Sequence, residues 1–316
     1  MEHSKLSLAR RLKLQQLAIF EQVINTGSIL GASRELHMTQ PAVSKSIHEL
    51  EGHFEQALFT RGKRGVRLTE FGELLQRHAE PLLAELRFLA DDANAWKTGV
   101  SGQVVVGTLI SASALLLPKA VVRLREMAPN VMVTVRVGSN DVLFPELARG
   151  RVDVVVGLLP QLPGESAAQG LIHEPLYSET LCAVVARQHP LALNTEIDVQ
   201  QLQDMEWIVP TPESAARRSA QQFFEAAHLR MPLRIVESVS VLTNLGLLLE
   251  SHMVALMPLT VAEQFVRSGL LSILPLGVVS SFGTIGYTLW TGRPPTAATQ
   301  RLLSALQEIG STLSTA

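Results

Sequence analysis

The chain has 316 residues, of which 47% are apolar and 18% charged, with 27 Lys and Arg against 29 Asp and Glu. Domains hold roughly 100–200 residues, so two or three are expected, and this composition excludes a disordered chain. No run reaches the roughly 18 apolar residues of a membrane span, and the single cysteine excludes a disulfide framework. We therefore expect a cytoplasmic protein with no membrane partner. As an average, the net charge of −2 argues against a nucleic-acid partner.

The first forty residues or so after Lys13 carry the pattern of three short helices. Apolar residues from Leu14 to Ile24 recur at helical spacing, and Gly27 ends the run. Ser28 suits the N-cap of a second helix. A third helix begins at Thr39, with proline in its first turn, where proline is tolerated. This order and the tight connection between the last two helices predict a helix-turn-helix.

The third helix has two chemically different faces. At 100° per residue, Val43, Ile47 and Leu50 form a narrow apolar stripe for a small core. The opposite side carries hydroxyl, amide, imidazole and ammonium groups, which can hydrogen-bond base edges, and a helix N-terminus suits a phosphate. An ordinary solvated helix face would carry similar groups, so this alternative stays open. The predicted DNA contacts are Thr39, Gln40, Pro41, Ser44, Lys45 and His48.

A basic segment follows the third helix. Four cations and no acid lie between Phe59 and Leu68, and two glycines permit a tight turn, which predicts a hairpin wing. This local cluster is diluted in the net charge of the whole chain, so the charge average does not exclude DNA. The cations are Arg61, Lys63, Arg64 and Arg67, of which the first three are predicted to contact DNA.

Six short segments within residues 14–72 carry further specific motifs. They are Leu17–Phe20, Gly27-Ser28, Ala32–Leu36, Thr39–Ile47, Leu50-Glu51 and Leu58–Arg61. Together they resemble the LysR-type transcriptional regulators. In that family the positions matching Gln40, Pro41, Ser44 and Lys45 contact bases and phosphates, and the position of Arg61 contacts the DNA backbone. Lys63 and Arg64 are further candidate DNA contacts, predicted only from their charge and their position in the basic segment.

A long helix is predicted from Thr69 onward. Its apolar stripe cannot be buried by one helix alone, so a partner helix is implied, and the resemblance implies a dimerising linker. Pro81 predicts a kink or a solvated gap, and two separate helices broken near it are the alternative. The stripe consists of Phe71, Leu75, His78, Leu82, Leu86, Leu89, Ala93 and Trp96.

Beyond a short linker at 98–102, β-branched runs alternate with helical stretches. This βαβ order predicts a mostly parallel sheet with covered faces. The predicted strands are 103–107, 131–137, 152–157, 181–186, 207–209, 233–236, 254–257 and 285–290. The predicted helices are 114–127, 142–149, 215–227, 243–250, 259–267 and 296–312.

The predicted fold class is α/β with an all-α N-terminal head. It comprises a winged helix-turn-helix (1–68), a linker helix (69–98) and an effector-binding domain (99–316) with two lobes like those of periplasmic binding proteins. Lobe I takes about 102–160 and 267–316, and lobe II about 171–266. The chain is expected to cross between them near 159–171 and to return near 266–275.

Several loops that follow predicted strands are rich in small hydroxyl residues. Ligands of open α/β sheets lie beyond the carboxyl ends of the strands, so these loops are candidate effector contacts. Any single loop is better explained by helix capping, for which Ser, Thr and Asn are preferred. Several loops together, in the pattern of the resembled family, favour a pocket. The candidates are Thr108, Ser111, Ala112, Ser113, Gly138, Ser139, Asn140, Thr211, Ser238 and Ser240.

Enzyme signatures are missing from the sequence. It contains no G-x-S-x-G elbow, no phosphate-binding P-loop and no dinucleotide fingerprint, so we expect no catalytic residue, metal or cofactor. Cys182 lies in an apolar run and reads as an inert thiol, and His189 precedes a proline in a turn and reads as structural or surface-exposed.

The expected function is DNA-binding regulation of transcription, as activator or repressor, modulated by a small molecule between two lobes. The resemblance implies a dimer through the linker helix and a tetramer through the lobes, with RNA polymerase as a further partner. The stretches 61–65 and 176–179 resemble the branch that regulates galactose-type sugar uptake and protocatechuate breakdown, which implies a sugar or an aromatic carboxylate as effector. A transport-type solute-binding protein and an enzyme with an appended DNA-binding head remain alternatives.

Overall fold

The computed structural model describes residues 4–62, 65–98, 101–160, 170–212, 214–276 and 280–314. The chain divides into two compact units, and each is described by itself. Unit 1 comprises Met1–Ala93 with Arg149–Arg151, and unit 2 comprises Asn94–Ala148 with Val152–Ala316.

Unit 1 is built from helices and one hairpin. Capping residues set the ends of several of its helices. The elements are α1 Lys5–Arg11, α2 Leu14–Thr26, α3 Ile29–Glu35, α4 Gln40–Phe54, β1 Phe59–Gly62, β2 Gly65–Leu68 and α5 Glu70–Thr98, which continues into unit 2.

The ends of the short helices follow their capping residues. Gly27 ends α2 in the left-handed conformation (φ 66°), where a side chain would be strained. Ser28 caps α3 by accepting a hydrogen bond from the Gly31 N–H at 2.9 Å. Thr39 caps α4, and Pro41 follows in the first turn. The predicted helix-turn-helix is confirmed; α1 was not predicted.

The core of unit 1 uses the predicted apolar stripes. Leu17, Phe20 and Val23 of α2 are fully buried, as are Val43 and Leu50 of α4. β1 pairs with β2 in antiparallel register from Phe59–Leu68 to Gly62–Gly65, which confirms the hairpin. Lys63 and Arg64 lie outside the described residues.

The linker helix α5 is continuous through Pro81, so the alternative of two broken helices is wrong. Its first half packs on unit 1, where Leu75 is 7% exposed. Farther along, Leu89 is 64% and Trp96 is 93% exposed. Most of the predicted apolar stripe is therefore exposed, because no other part of the chain covers it among the described residues. The predicted kink at Pro81 stays a prediction.

Unit 2 alternates strands and helices as predicted. Its elements begin with β3 and end with a C-terminal helix. They are β3 Gly102–Thr108, α6 Ile110–Ser113, α7 Leu116–Met127, β4 Val131–Val137, α8 Asn140–Ala148, β5 Val154–Leu158, β6 Leu171–Ala186, a 3-10 turn at Val199–Leu202, β7 Trp207–Val209, α9 Ala215–Ala226, β8 Ile235–Glu237, α10 Val241–Glu250, β9 Val254–Pro258, α11 Leu259–Arg267, β10 Leu271–Ile273, β11 Ser280–Trp290 and α12 Ala297–Ser314.

These strands form one sheet in the order β4-β3-β5-β11-β6-β9-β7-β8, with β10 also paired to β6. At one end β3 lies parallel to β4 and β5, and at the other β7 lies parallel to β8 and β9. Between the two ends, β6 and β11 pair antiparallel from Leu171–Trp290 to Leu181–Ser280. The sheet is therefore mixed, with a parallel set of three strands at each end.

The structure corrects three strand predictions. The predicted strands 181–186 and 285–290 are only the ends of β6 and β11, and β10 was missed. The first half of β6, from Leu171 to Thr180, carries His, Glu, Pro and Ser and shows no apolar run, so its sequence does not signal a strand. The predicted first crossing near 159–171 falls mostly outside the described residues.

The core of unit 2 contains a cluster of aromatic side chains around Trp207. Trp207 is fully buried, its indole N–H donates to the Leu202 carbonyl at 2.9 Å, and its ring lies 4.8 Å from that of Phe224. At another place in the sheet, Glu179 of β6 is 2% exposed. No signal in the sequence indicated this buried carboxylate.

Candidate functional site

The α4 helix presents the predicted polar face to solvent. Pro41, Lys45 and His48 are exposed, whereas Ile47 on the opposite side is 4% exposed. Gln40 is exposed at the first position of the helix, and Ser44 is half-buried. The predicted division of α4 into an apolar and a polar face is confirmed.

The basic side chains on this face have only weak partners. The Lys45 Nζ lies 3.9 Å from the Glu49 Oε1, and the His48 Nδ1 lies 3.9 Å from the Glu51 Oε2. The side chains of Lys45 and His48 are 78% and 90% exposed. Exposed pairs of this kind contribute about 0–1 kcal/mol. They can therefore be exchanged for a phosphate at little cost.

The two acids of α4 also hold the helix in place. The Glu51 carboxylate accepts a hydrogen bond from the Leu58 N–H at 2.9 Å, which fastens the approach to the hairpin. Glu49 accepts one from the Gln16 side chain at 3.3 Å, which links α4 to α2. Sequence reasoning missed both bonds because they depend on tertiary packing and not on helical periodicity.

The hairpin is fastened to the turn between α2 and α3. The Val66 N–H donates to the Gly27 carbonyl at 2.9 Å. Gly65 has φ 123°, and a Cβ there would lie 2.3 Å from the Gly27 oxygen, so only glycine fits. Arg61 lies on β1 and Arg67 is exposed on β2. The backbone thus holds two of the predicted basic residues in fixed positions next to the helix-turn-helix.

Two of the effector loops of unit 2 lie together. Thr108 ends β3, and its carbonyl accepts a hydrogen bond from the Gly138 N–H at 3.2 Å. The Thr108 side chain is fully buried, and its hydroxyl donates to the Val156 carbonyl at 3.2 Å. Ser111 accepts from the Leu158 N–H at 3.2 Å, and Ala112 is fully buried. The side chains of Thr108 and Ser111 are therefore already hydrogen-bonded to nearby main-chain groups.

Asn140 differs from these neighbours. It begins α8, after Gly138 and the exposed Ser139, and it is half-buried. Its Oδ1 atom is shielded from solvent and has no hydrogen-bond partner among the described residues. Buried polar atoms are ordinarily bonded, so this oxygen is available to a donor. Ser113, also half-buried, lies at the end of α6.

The remaining effector candidates lie together at the other end of the sheet. The Ser238 N–H donates to the Val209 carbonyl at 2.9 Å, which brings the Ser238 loop to the loop that contains Thr211. Ser240 caps α10 by accepting from the Thr243 N–H at 3.3 Å. Nearby, Arg217 donates to the Pro210 carbonyl at 2.8 Å and pairs with Glu237 at 3.2 Å. The ten candidates thus form two clusters, one at each end of the sheet.

Buried titratable groups lie in the middle of β6. Glu179 accepts hydrogen bonds from the Thr180 N–H at 3.0 Å and the Thr260 hydroxyl, and burial raises its pKa. Burial also raises the pKa of Tyr177 to about 12. Burial raises the pKa of Cys182 to about 12, so this residue is a neutral thiol, as expected for an inert cysteine.

A helix-turn-helix with a solvent-facing polar helix, joined to an α/β unit with hydroxyl-rich strand ends, is the architecture of a ligand-responsive DNA-binding regulator. The family described as bacterial regulatory helix-turn-helix protein, lysR family, matches residues 14–73. The LysR substrate binding domain matches residues 97–310. The chain belongs to the lysR family of transcriptional regulators.

Relatives with known names agree with this assignment. The chain is 31% identical over 301 residues to the HTH-type transcriptional regulator PcaQ of Agrobacterium fabrum, covering 95% of each chain. It is 30% identical over 295 residues to the HTH-type transcriptional regulator GalR of Pseudomonas putida, covering 93% of this chain and 73% of GalR.

Solved structures show the same fold. A full-length OxyR variant from Pseudomonas aeruginosa matches with a TM-score of 0.68 at 20% identity and covers 94% of this chain and 98% of its own. Full-length CbnR complexed with its target DNA matches with a TM-score of 0.67 at 19% identity and covers 94% of this chain and 100% of its own.

Membership of this family decides between the functions considered from the sequence. The protein is a transcriptional regulator with an effector-binding domain, rather than a transport-type binding protein or an enzyme, because its relatives are named regulators. Among the described residues, no helix combines the length and apolar character needed to cross a bilayer.

Proposed function

We propose that α4 reads operator DNA in the major groove while the β1–β2 hairpin binds the adjoining backbone. The exposed polar face of α4, opposite its buried stripe, carries this proposal. Ser44, Lys45 and His48 can reach base edges, and the start of α4 at Thr39–Pro41 suits a phosphate. In the hairpin, Arg61, Lys63 and Arg64 supply the positive charge.

Two copies of the chain would bind one partly symmetric site. The exposed apolar residues of α5, Leu82, Leu86 and Leu89, need a partner, and a second α5 supplies a matching stripe. We further propose that the effector domains associate into a tetramer and that the regulator contacts RNA polymerase. Its location would be the cytoplasm. A regulator that binds DNA through paired subunits recognises a site longer than one recognition helix can read.

The effector would be a small polar molecule that binds between two lobes of unit 2. These lobes would have the bounds predicted from the sequence, about 102–160 with 267–316 for lobe I and about 171–266 for lobe II. Strand ends at both ends of the sheet carry hydroxyl and amide groups, and the unpartnered Asn140 oxygen supports a ligand with a donor group. A sugar has such donors, and an aromatic carboxylate suits the hydroxyls of Ser139 and Ser238. Binding that favours one lobe arrangement would shift the population of DNA-binding states.

The DNA-reading assignment is tested by replacing Ser44 and Lys45 together with alanine. We expect loss of operator-specific protection in a footprinting assay, with the thermal unfolding of the protein unchanged. The matched control is Ser304→Ala with Arg301→Ala, which removes similar groups from an exposed face of α12. Unchanged protection in the Ser44 and Lys45 variant would overturn the assignment.

The effector site is tested with a panel of sugars and aromatic carboxylates. Binding should raise the melting temperature of the wild-type protein, and Ser139→Trp should remove that rise while operator binding is retained. Ser304→Trp places the same bulk on an exposed face of α12 and should keep the response. A full response in Ser139→Trp would place the effector elsewhere.

A further inference from the structure

A second basic segment precedes the helix-turn-helix. Lys5, Arg10, Arg11 and Lys13 lie within nine residues, and no acid occurs from residue 4 to residue 20. The match to the helix-turn-helix family begins at residue 14, so the segment lies outside the part of unit 1 that the family defines. Its charge equals that of the hairpin wing.

The α1 helix, which carries three of these four cations and precedes Lys13, contributes nothing to the core. None of its residues is buried, and Ser4 caps it by accepting a hydrogen bond from the Ser7 N–H at 3.2 Å. All four cations are exposed. Within the described part of the chain, Lys5, Arg10 and Lys13 form no ion pair. The positive charge of Lys5, Arg10 and Lys13 is therefore not neutralised by an ion pair among the described residues.

The end of α1 is held beside the recognition helix. Leu12 packs against the core of unit 1, and the Lys13 N–H donates to the Gln16 Oε1 at 3.1 Å. The Gln16 side-chain amide in turn donates to Glu49 of α4 at 3.3 Å, and Glu49 lies 3.9 Å from Lys45. Two hydrogen bonds and one ion contact thus connect Lys13 to a predicted DNA-reading residue.

We propose that α1 binds the phosphate backbone of DNA next to the site that α4 reads. This inference rests on the proposed function, because it needs α4 to lie on DNA. Exposed cationic side chains outside the helix-turn-helix can neutralise phosphates, which adds affinity without a sequence preference. An anionic lipid surface would also attract such a segment, but one seven-residue helix with Leu6 as its exposed apolar residue offers little to insert.

The test is the salt dependence of DNA binding by the full chain. The variant combines Lys5→Ala, Arg10→Ala and Lys13→Ala. Each lost phosphate contact should reduce the slope of log K against log salt by about 0.9, so three contacts reduce it by roughly 2.7 for each bound subunit. For each bound subunit, the ratio of wild-type to variant affinity should then change by roughly 40-fold between about 50 and about 200 mM salt. The preference for operator over unrelated DNA should be unchanged.

The controls separate this inference from the function on which it rests. A variant of unit 2 with Lys119→Ala, Arg267→Ala and Arg301→Ala loses the same charge and should keep the wild-type slope. Ser44→Ala with Lys45→Ala should instead lose operator preference and keep the contribution of α1. Glutamine in place of Lys5, Arg10 and Lys13 should act like alanine, which excludes an effect of helix loss.

Two results would overturn the proposal. One is an identical salt slope for the wild-type protein and both α1 variants, with operator preference still dependent on Ser44 and Lys45. The other is loss of binding to phosphatidylserine vesicles in the α1 variants with no change on DNA, which would assign the segment to a lipid surface.

Discussion

On α4 of unit 1, Lys45 and His48 extend into solvent with contacts of 3.9 Å to acids on the same helix. At the strand ends of unit 2, most candidate hydroxyls are already bonded: Thr108 to a neighbouring strand and Ser240 to the start of α10. Unit 1 therefore offers side chains that are ready to bind, whereas unit 2 offers side chains that must exchange partners or stay structural.

This difference explains how one chain can read a fixed partner and respond to a variable one. DNA presents the same backbone to every copy, so exposed cations on a rigid helix suffice. A small-molecule response instead needs an equilibrium that the ligand can shift, and groups bonded in one state and released in another provide it. The two units should thus respond independently to substitution.

The largest expected effect comes from a substitution in the core of unit 1, which tests whether the two units are independent. Leu50→Ala removes a fully buried side chain of α4 and should destabilise unit 1 by about 2–5 kcal/mol. We expect loss of DNA binding. The unfolding transition reported by the fluorescence of the buried Trp207 of unit 2 should be unchanged.

The matching substitution in unit 2 is Leu256→Ala, where the leucine of β9 is 6% exposed. It should shift the Trp207 transition and leave DNA binding at low temperature intact. If either substitution shifts both readouts equally, the two units unfold as one and the comparison fails.

The units also differ in how far the sequence predicts them. In unit 1, Gly27, Ser28 and Thr39 set helix ends by local chemistry, so α2, α3 and α4 were predicted closely. In unit 2, strand β6 depends on its pairing with β11 along a polar stretch, and that pairing is invisible in local sequence.

The candidate sites show the same contrast. The polar face of α4 follows from helical periodicity, so its exposure was predictable. The unpartnered Asn140 oxygen and the buried Glu179 arise from tertiary packing. Hydroxyl-rich loops indicated the region of Asn140, but nothing local distinguished it from the capping residues around it. Residue contacts with DNA and with the effector remain predictions.

The next expected effect is a dependence of the stability of unit 2 on pH. His189 is 4% exposed, its Nδ1 accepts a hydrogen bond from the Leu191 N–H at 3.1 Å, and its Nε2–H donates to the His252 carbonyl at 3.2 Å. Only the neutral ring makes both bonds. Burial lowers the pKa of His189, so the folded state binds fewer protons than the unfolded state at acidic pH.

The stability that His189 contributes is therefore fully present above the ordinary histidine pKa of about 6.5 and is lost as the pH falls below it. His173, whose pKa burial also lowers, acts in the same direction. We expect His189→Gln to weaken unit 2 by about 1–3 kcal/mol at neutral pH and to flatten the pH dependence of its unfolding. His252→Gln is the control: it removes the 5.5 Å contact between the two histidine rings, as His189→Gln does, but it keeps the main-chain carbonyl that accepts the hydrogen bond. An equal effect of both substitutions would contradict the hydrogen-bond argument.

The smallest expected effect separates stability from recognition within unit 1. Ser28 and Thr39 are both N-caps, on α3 and α4, and replacing either by alanine should cost about 1 kcal/mol. Thermal unfolding of the two variants should therefore be similar. DNA binding should differ, because Thr39 begins the helix proposed to enter the groove, whereas Ser28 is bonded to the Gly31 N–H at the start of α3.

The measurement that separates these two roles is the operator affinity of both variants at a temperature where both are folded. We expect Thr39→Ala to bind more weakly than Ser28→Ala by a factor that exceeds their difference in stability. Thr39→Ser, which keeps the capping oxygen, should restore affinity along with stability. Equal affinities for the two alanine variants would mean that the start of α4 serves the fold alone, and the bonded hydroxyls of unit 2 would then no longer contrast with it.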